Sequence, residues 1–192
     1  MNDVTPTPPS PLPPGYPGDL ERTWVAADGT RILIRPQRPD DLEREVRFVE
    51  GLSEQTLYLR VQYSARQVSR RDIARLLELD YRDRFAVAAL VGTPPEDSII
   101  GVSRYARIDD TDRAECAIVV ADAWQGRGVG TELMRSLGLV ARRNGIRTLE
   151  GSSLAENQRI HAWARRFGFD ARTEPDSGGQ VRITLDLGSL PS

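Results

Sequence analysis

The spacing of apolar residues predicts the order of helices and strands along most of this chain. Segments that alternate apolar and polar residues are typical of strands, and apolar residues three and four positions apart are typical of helices. In the first 120 residues the predicted strands cover 23–26, 30–35, 85–91, 99–108 and 113–120. The predicted helices in the same part cover 39–51, 54–59 and 70–79. Asp28-Gly29 joins the first two strands, and such a pair between alternating segments favours a β-hairpin.

The last third of the chain continues with alternating helices and strands. Its predicted elements are a helix over 129–144, a strand over 147–151, a helix over 157–167 and two final strands over 169–173 and 180–187. This pattern predicts one folded domain over residues 21–189. Seven prolines within residues 1–20 predict instead a disordered, proline-rich N-terminal tail.

A glycine-rich loop, Gln125-Gly126-Arg127-Gly128-Val129-Gly130, interrupts the pattern between the strand that ends at Val120 and the next helix. Backbone N–H groups at a helix N-terminus point outward, and the helix dipole favours negative charge there. Because glycines let the backbone approach an anion closely, the loop predicts a site for a pyrophosphate-bearing cofactor. The alternative is a turn with only a connecting role. The spacing matches neither the dinucleotide fingerprint nor the nucleotide-triphosphate loop, which needs a lysine.

The Q-x-x-G-x-G spacing of the loop resembles the acyl-CoA loop of the GCN5-related N-acetyltransferases (GNAT). The predicted element order, βαα(α)βββαβαβ, resembles the same superfamily over the whole domain. This resemblance implies an α+β fold in α/β/α layers, with a mixed, mainly antiparallel central sheet. It also implies acetyl-CoA as the acyl donor, no metal ion, and loop amides that bind the CoA pyrophosphate.

Four segments resemble more narrowly the acetyltransferase domain of Pat-type bacterial protein lysine acetyltransferases. They are 52–60 (L-S-x-x-[ST]-x-Y-x-R), 114–120 (A-E-x-A-x-x-V), 122–130 (D-x-W-Q-G-x-G-[LV]-G) and 154–157 (L-x-x-N). The resemblance implies that Glu115 is the general base. The residues implied to bind acetyl-CoA are Ile118, Val119, Val120, Gln125, Gly126, Arg127, Gly128, Val129, Gly130, Thr131 and Asn157.

Glu115 is also a candidate base on chemical grounds, because it is the one charged residue of its strand between Ala114 and Val120. A lysine with an unperturbed pKa near 10.4 is almost wholly protonated at pH 7, and removing its proton costs roughly 4–5 kcal/mol. A carboxylate near the thioester can accept that proton, directly or through water. The alternatives for Glu115 are an exposed position without a role and an ion pair with Arg104 or Arg107.

Several other residues each have two interpretations. Asn157 either contacts CoA or begins a helix, and Tyr58 and Arg60 either line the acceptor entrance or serve as a packing aromatic and a surface arginine. The tyrosine that many acetyltransferases place after the asparagine is absent here. His161 either donates a proton in its place or is a surface or packing residue. Cys116 is expected to be buried, which favours direct attack in a ternary complex over an acetyl-cysteine intermediate.

Composition narrows the class of protein. The 192 residues carry a formal net charge of −2 and 39% are hydrophobic, which suits one globular domain. A near-neutral balance argues against nucleic-acid binding, and no run of about 18 apolar residues predicts a membrane span. One cysteine excludes an internal disulfide and a cysteine-rich zinc site. Since no secretory signal is visible at the N-terminus, the expected location is the cytoplasm.

The basic residues have an unusual composition, because all 26 are arginine and the chain contains no lysine. Codon bias in a GC-rich genome is one explanation. The absence is also compatible with an enzyme that acetylates lysines, since such a chain offers only its N-terminal amine as a target.

Together these features predict a protein lysine N-acetyltransferase that uses acetyl-CoA. The resemblance implies a metabolic enzyme as acceptor, in particular an AMP-forming acyl-CoA synthetase. One alternative is a small-molecule amine N-acetyltransferase, for which a deep acidic acceptor pocket is expected. Another is a non-catalytic acyl-CoA sensor that binds CoA without turnover.

Overall fold

The computed structural model describes residues 11–61, 68–173 and 179–190, with 60 and 61 described by their backbone alone. The α-helices of this part of the chain are α1 (Leu42–Glu50), α2 (Glu54–Val61), α3 (Arg70–Leu76), α4 (Val129–Arg143) and α5 (Gln158–Phe167). Its strands are β1 (Arg22–Val25), β2 (Arg31–Pro36), β3 (Arg84–Val91), β4 (Ser98–Arg107), β5 (Arg113–Val120), β6 (Thr148–Leu154), β7 (Asp170–Thr173) and β8 (Gln180–Asp186).

All of these strands belong to one sheet, in the order β1-β2-β3-β4-β5-β6-β8-β7. Within the described residues β5 and β6 form the one parallel pair, and every other pair of neighbours is antiparallel. The predicted mixed, mainly antiparallel sheet is therefore confirmed. The hairpin at Asp28-Gly29 is confirmed as well, and Gly29 adopts the positive φ (85°) that such a turn needs.

Helices cover both faces of the sheet, which confirms the predicted α/β/α layers. On one face Phe48 of α1 shares an apolar core with Leu90 and Val102 of the sheet. On the other face α4 and α5 contribute to the larger core, through Val129, Leu133, Met134, Leu137, Val140, Ala141 and Ala164. Because successive strand residues point to opposite faces, Val119 packs on the α1 side of β5 while Ile118 packs on the α4 side.

The parallel strands β5 and β6 diverge into a fork. They pair over three positions, which end with Glu115 opposite Glu150. Beyond that point β5 continues beside β4 to Val120, while β6 continues beside β8. Gly151 lies at the point of divergence, where a Cβ atom would be 2.9 Å from the carbonyl oxygen of Cys116. A side chain at this position would force the strands apart, so the geometry of the fork depends on a glycine.

Most predicted elements lie within a few residues of their positions in the structure, and β6 and α3 differ most. β6 continues to Leu154 instead of ending at residue 151, because its last residues pair with the N-terminal half of β8. α3 ends at Leu76 instead of residue 79, because the backbone leaves the helical conformation at Leu77.

The N-terminal segment differs from the predicted tail in its last residues. Residues 1–10 lie outside the described residues. Tyr16 packs edge-on against Tyr81, with ring centroids 5.5 Å apart, and its hydroxyl donates a hydrogen bond to the carbonyl oxygen of Pro36 at 3.2 Å. A 3-10 turn follows at Gly18–Leu20. The segment from Tyr16 to Leu20 is thus anchored to the domain, where the sequence predicted disorder as far as residue 20.

No helix among the described residues is long and apolar enough to cross a membrane. No group of three or more His, Cys, Asp or Glu side chains in this part of the chain is placed to hold a metal ion.

Candidate active site

The glycine-rich loop connects β5 to α4. After Val120 the chain makes a 3-10 turn at Asp122–Trp124 and passes through Gly126 and Gly128, whose φ angles are 79° and 90°. Gly128 directly precedes α4, and its left-handed conformation turns the backbone into the first helical turn. An L-residue with a side chain is strained in this conformation, so the backbone path itself requires glycine. The unpaired N–H groups that begin a fifteen-residue helix consequently face the loop.

Aromatic side chains from three elements pack around this loop. The ring of Trp24 lies 3.3 Å from where a Cβ of Gly128 would be. Trp124 stacks under the guanidinium of Arg127, 5.0 Å from its ring centroid. Trp163 of α5 donates a hydrogen bond from Nε1 to Thr131 Oγ1 at 3.1 Å. These contacts hold the loop in place against β1 and α5.

A groove of ≈ 1560 Å³ extends from the fork to the loop. The predicted site residues that line it are Glu115, Ile118, Val119, Val120, Gln125, Gly126, Gly128, Gly130, Thr131 and Asn157. Arg127 and Val129 do not line it. Val129 is buried in the core, and Arg127 turns outward, where its Nη1 lies 3.2 Å from Asp28 Oδ2. Most ligand pockets measure roughly 300–1,000 Å³, so this groove has room for a long donor and part of an acceptor.

Gln125 connects three parts of the site through its side-chain amide. Its Oε1 accepts a hydrogen bond from Arg159 Nη1 at 2.6 Å, in the first turn of α5. Its Nε2 donates to the carbonyl oxygen of Val120 at 2.9 Å and to Thr56 Oγ1 of α2 at 3.4 Å. The side chain of Gln125 therefore organises the site, joining the loop to helices on both sides of the groove.

Asn157 begins α5, as one interpretation of the sequence expected. Its side-chain oxygen accepts a hydrogen bond from the backbone N–H of Ile160 at 3.2 Å, which caps the helix. Asn157 also lines the groove, and its Nδ2 group makes no hydrogen bond within the described part of the chain. The cap role and a ligand contact are therefore compatible, because they use different atoms of the side chain.

Glu115 lies at the vertex of the fork, on the last β5 position that pairs with β6. Its side chain is exposed, lines the groove and forms no hydrogen bond or ion pair with the described residues. The two arginines considered as its partners bind other carboxylates. Arg104 Nη2 lies 2.7 Å from Glu45 Oε1, and Arg107 Nε lies 2.6 Å from Asp83 Oδ1. The ion-pair alternative for Glu115 is thus absent from the described residues.

α2 bounds one end of the groove, which we call the acceptor end after the expectation from the sequence that Tyr58 and Arg60 line the acceptor entrance. The Asp122 carboxylate accepts hydrogen bonds from the Ser53 backbone N–H at 3.0 Å and from the hydroxyls of Ser53 and Thr56 at 2.8 and 2.7 Å. These bonds hold the pKa of Asp122 below its usual range. Asp122 therefore ties the start of α2 to the turn that precedes the glycine-rich loop.

Tyr58 extends from α2 toward the loop between β6 and α5. A hydrogen bond with the Glu156 carboxylate, together with the negative charge of that carboxylate, raises the pKa of the Tyr58 hydroxyl. Both residues line the groove, so the contact spans its acceptor end. The side chain of Arg60, the other residue considered for this entrance, lies outside the described residues.

His161 and Cys116 are both buried. His161 Nε2 lies 2.7 Å from Ser153 Oγ, so His161 is neither a surface residue nor a purely packing one. Burial lowers the pKa of His161, and the nearby charge of Arg165 lowers it further. The expected burial of Cys116 is observed, at 8% exposure.

Sequence reasoning missed three members of this site: Asp122 as the partner of Ser53 and Thr56, Glu156 as the partner of Tyr58, and Ser153 as the partner of His161. Ser53 caps α2, since its hydroxyl accepts a hydrogen bond from the Thr56 N–H at 3.2 Å. The carboxylate to which that hydroxyl donates lies 69 residues further along the chain, so no local sequence pattern predicts the contact.

Comparison with known proteins places these features in a family. The family model for the acetyltransferase (GNAT) domain matches residues 31–170, which includes the fork, the loop and all of α5. The chain is 37% identical over 166 residues to Acetyltransferase PA5475 of Pseudomonas aeruginosa, covering 85% of this chain and 89% of that protein. It is 32% identical over 141 residues to Acetyltransferase Pat of Mycolicibacterium smegmatis, covering 73% of this chain but only 41% of that longer protein.

Solved structures show the same relationship. The GNAT domain of S. lividans PAT superimposes with a TM-score of 0.82 and 32% identity, over 89% of this chain and 99% of that one. The PaiA N-acetyltransferase of Thermoplasma acidophilum, solved in complex with coenzyme A, matches with a TM-score of 0.67 over 81% of this chain and 98% of that one. At 16% identity this second likeness shows the fold alone. The chain belongs to the GNAT acetyltransferase family.

Proposed function

We propose that this acetyltransferase is a protein lysine N-acetyltransferase, which transfers acetyl from acetyl-CoA to the ε-amine of a lysine on another protein. The observation that carries the proposal is the position of Glu115. Its carboxylate is exposed at the vertex of the fork and has no partner among the described residues. A carboxylate placed in this way is available to accept a proton from an incoming amine.

The donor half of the groove fits acetyl-CoA. The first amides of α4 and the loop from Gly126 to Thr131 would bind the pyrophosphate, since helix N-termini favour anions. Among the described residues, no strand pairs with the edge of β5 that faces away from β4 between Ala117 and Val120. Its main-chain groups would bind the amides of the pantetheine arm, as a further strand would. Asn157 Nδ2 would contact the same arm or a phosphate.

The reaction proposed for this site is a direct attack in a ternary complex. The lysine ε-ammonium would lose one proton to Glu115, directly or through one water molecule, as the amine attacks the thioester carbonyl carbon. The second proton, which leaves nitrogen as the amide forms, would go to water. Main-chain amides near Val120 would donate hydrogen bonds to the carbonyl oxygen, where negative charge develops. Cys116 takes no part, because a buried thiol is a poor nucleophile.

A protein acceptor is supported over a small amine by two observations. The acceptor end is lined by the mixed side chains of Gln55, Tyr58 and Leu59, together with the carboxylates of Glu115 and Glu156. A site for a polycationic small amine is expected to carry more acidic groups than these. Two of the similar proteins, from S. lividans and M. smegmatis, are named Pat, and the segments at 52–60 and 122–130 that resemble Pat meet in the hydrogen bonds of Asp122.

The acceptor that we propose is an AMP-forming acyl-CoA synthetase, by resemblance to the Pat group. Acetylation of an active-site lysine in such an enzyme would switch off its production of acyl-CoA. An enzyme of this kind acts where its acceptor is made, and we propose a cytoplasmic location.

The test is transfer of labelled acetyl from acetyl-CoA to an acetyl-CoA synthetase, with wild-type enzyme and with Glu115→Gln. We expect label on one synthetase lysine with wild-type enzyme and loss of that label with the variant. Glu50→Gln, at an exposed position at the end of α1, is the matched control and should transfer normally. Full activity of Glu115→Gln would show that another group is the base. CoA binding without any protein labelling would favour small amines or a sensor.

A further inference from the structure

A buried pair of side chains lies under the groove and has no part in the mechanism above. Ser153 Oγ and His161 Nε2 are 2.7 Å apart, and the two residues are 5% and 6% exposed. Ser153 lines the groove, whereas His161 lies behind it in α5. The pair therefore connects the surface of the groove to an imidazole that no ligand can reach directly.

Ser153 lies on β6 next to the part of the proposed donor site that would hold the sulfur atom of CoA. Gly151 marks the vertex of the fork, and Ser153 is two residues further along, on the same face of the strand. At about 3.3 Å per residue this is about 7 Å from the vertex. Ile118 occupies the corresponding place on β5, two residues beyond Cys116. A pantetheine arm that lies between the strands, with its thioester near Glu115, therefore passes Ser153 near its sulfur atom.

The imidazole can hold the hydroxyl hydrogen in a fixed direction. Because burial favours neutral His161, one of its ring nitrogens carries a hydrogen and the other does not. Within the described residues, Ser153 is the one side chain that bonds to the ring. If Nε2 donates to Ser153 Oγ, the serine hydrogen is not used within the pair and can point into the groove.

We propose that the Ser153 hydroxyl donates a hydrogen bond to the sulfur of the departing CoA thiolate, and that His161 is the positioning residue that orients this hydroxyl. This inference rests on the acetyl transfer proposed above. As the amine attacks, the C–N bond forms, the C–S bond breaks and the electron pair of the C–S bond stays on sulfur. Of the two protons that leave the ammonium nitrogen, one goes to Glu115 and the other to water. Ser153 and His161 transfer no proton, and the thiolate takes one from water after release.

The role proposed for Ser153 must be distinguished from that of a serine nucleophile. A histidine 2.7 Å from a serine hydroxyl also suits general-base activation of that hydroxyl. In that arrangement Nδ1 carries the hydrogen and needs an acceptor that holds the ring. No side chain among the described residues accepts a hydrogen bond from His161 Nδ1, which favours the donor role for Ser153. An acetyl group found on Ser153 after incubation with acetyl-CoA would overturn our proposal.

The main test compares the affinity of CoA with that of desulfo-CoA, which lacks the sulfur atom, by calorimetry at a pH above the pKa of the CoA thiol, so that CoA binds as its thiolate. We expect wild-type protein to bind CoA about tenfold more tightly, as a hydrogen bond to a charged group predicts. Ser153→Ala should lose this preference and keep its affinity for desulfo-CoA. Ser153→Thr retains a hydroxyl and should retain the preference. Equal affinity of both ligands for wild-type protein would overturn the proposal.

The role of His161 has its own readouts. His161→Gln keeps a side-chain N–H donor and should preserve most of the preference for CoA, whereas His161→Phe should abolish it. Because the chain has one histidine, its imidazole C–H signal in NMR can be followed without assignment. This measurement uses wild-type protein, so it does not depend on whether a variant folds. CoA should shift that signal in wild-type protein more than desulfo-CoA does, and identical shifts would contradict us. If neither ligand binds, it is the proposed function that fails, because the donor site itself is then wrong.

Discussion

The donor and acceptor halves of the groove are built in different ways. The donor half consists of backbone, with the fork between β5 and β6, two glycines at positive φ and the first turn of α4. Three tryptophans and the amide of Gln125 hold it in place. The acceptor half consists of side chains at the surface, among them Glu115, Tyr58 and Glu156, of which Glu115 has no partner among the described residues.

This difference shows how one fold can keep its donor and change its acceptor. A backbone cradle depends on a few glycines and tolerates change elsewhere, while exposed side chains on α2 and on the loop before α5 can vary without disturbing the sheet. Asp122 and Gln125 connect the two halves, since both bond to α2 from the segment that precedes the loop. Mutations can therefore be chosen to affect one half, the other, or the connection.

Glu115→Gln should give the largest effect, and it should separate the halves most clearly. Removal of a general base costs about 10²–10⁴ in rate, so we expect kcat to fall by that factor. The Kd of CoA should stay within about twofold, because the side chain contacts no part of the loop. A kcat lowered by this factor, together with an unchanged Kd of CoA measured by calorimetry, would confirm the prediction. A large loss of CoA affinity would mean that Glu115 belongs to the donor half.

Gly128→Ala tests the donor half. Alanine at φ 90° is strained by about 1–2 kcal/mol, and its Cβ would lie 3.3 Å from the Trp24 ring. We expect the Kd of CoA to rise about tenfold, and Gly128→Trp to remove binding. Gly145→Ala is the control, because Gly145 has a similar φ (78°), ends the same helix and has open space around it. It should lower stability with no change in the Kd of CoA, and equal effects would refute the loop assignment.

Asp122→Ala tests the connection between the halves. The substitution removes the hydrogen bonds from Ser53 and Thr56 to this carboxylate, so we expect the KM of the acceptor to rise severalfold with little change in the Kd of CoA. Asp80→Ala removes a carboxylate that accepts hydrogen bonds from backbone N–H groups outside the groove and should leave the KM unchanged. An unchanged acceptor KM in Asp122→Ala would show that α2 is positioned without these bonds.

The contribution of the Asp122 carboxylate to the stability of the protein should also depend on pH. Because hydrogen bonds lower the pKa of Asp122 in the folded protein, its contribution to stability is present above its unfolded pKa of about 3.9. That contribution is lost as the pH falls through the lower, folded value. Wild-type protein should therefore approach Asp122→Ala in stability in acid, which urea unfolding at a series of pH values can measure.

Tyr58→Phe should give the smallest effect. It removes the hydroxyl that bonds to Glu156 across the acceptor end of the groove, in an exposed contact where hydrogen bonds contribute little. We expect the KM of the acceptor to change by about twofold. The kcat, measured at a saturating concentration of acetyl-CoA, should stay the same. Tyr16→Phe removes a distant hydroxyl and should change neither constant. A tenfold fall in kcat would instead place the Tyr58 hydroxyl at the reacting atoms.

The donor half could be predicted from sequence because its information is local. The segment from Gln125 to Gly130 contains the loop glycines and leads directly into α4, so a short window holds the strand, the turn and the helix start. Glu115 was chosen as a candidate for the same reason, as a charge in an apolar strand, and its role as the base stays a prediction. The fork itself was not visible, because it depends on where β6 leaves β5 and on the approach of Gly151 to Cys116.

The acceptor half was less predictable because its contacts join residues that are far apart in the chain. Asp122 bonds to Ser53 and Thr56 across 69 and 66 residues. Ser153 and His161 are only eight residues apart, but their contact depends on β6 continuing to Leu154, beyond the end that the sequence predicted. Tyr16 was assigned to a disordered tail because prolines dominate the sequence around it. Its aromatic partner, Tyr81, lies much later in the chain.

The packing around the loop has a spectroscopic consequence. The chain has three tryptophans, and all of them surround the donor loop: Trp24 against Gly128, Trp124 beneath Arg127 and Trp163 bonded to Thr131. Intrinsic tryptophan emission therefore reports on this one region and on no other part of the protein. Binding of the proposed acyl donor should therefore change this emission and can be timed by rapid mixing with unlabelled protein. The enzyme thus carries an intrinsic optical probe at its proposed donor site.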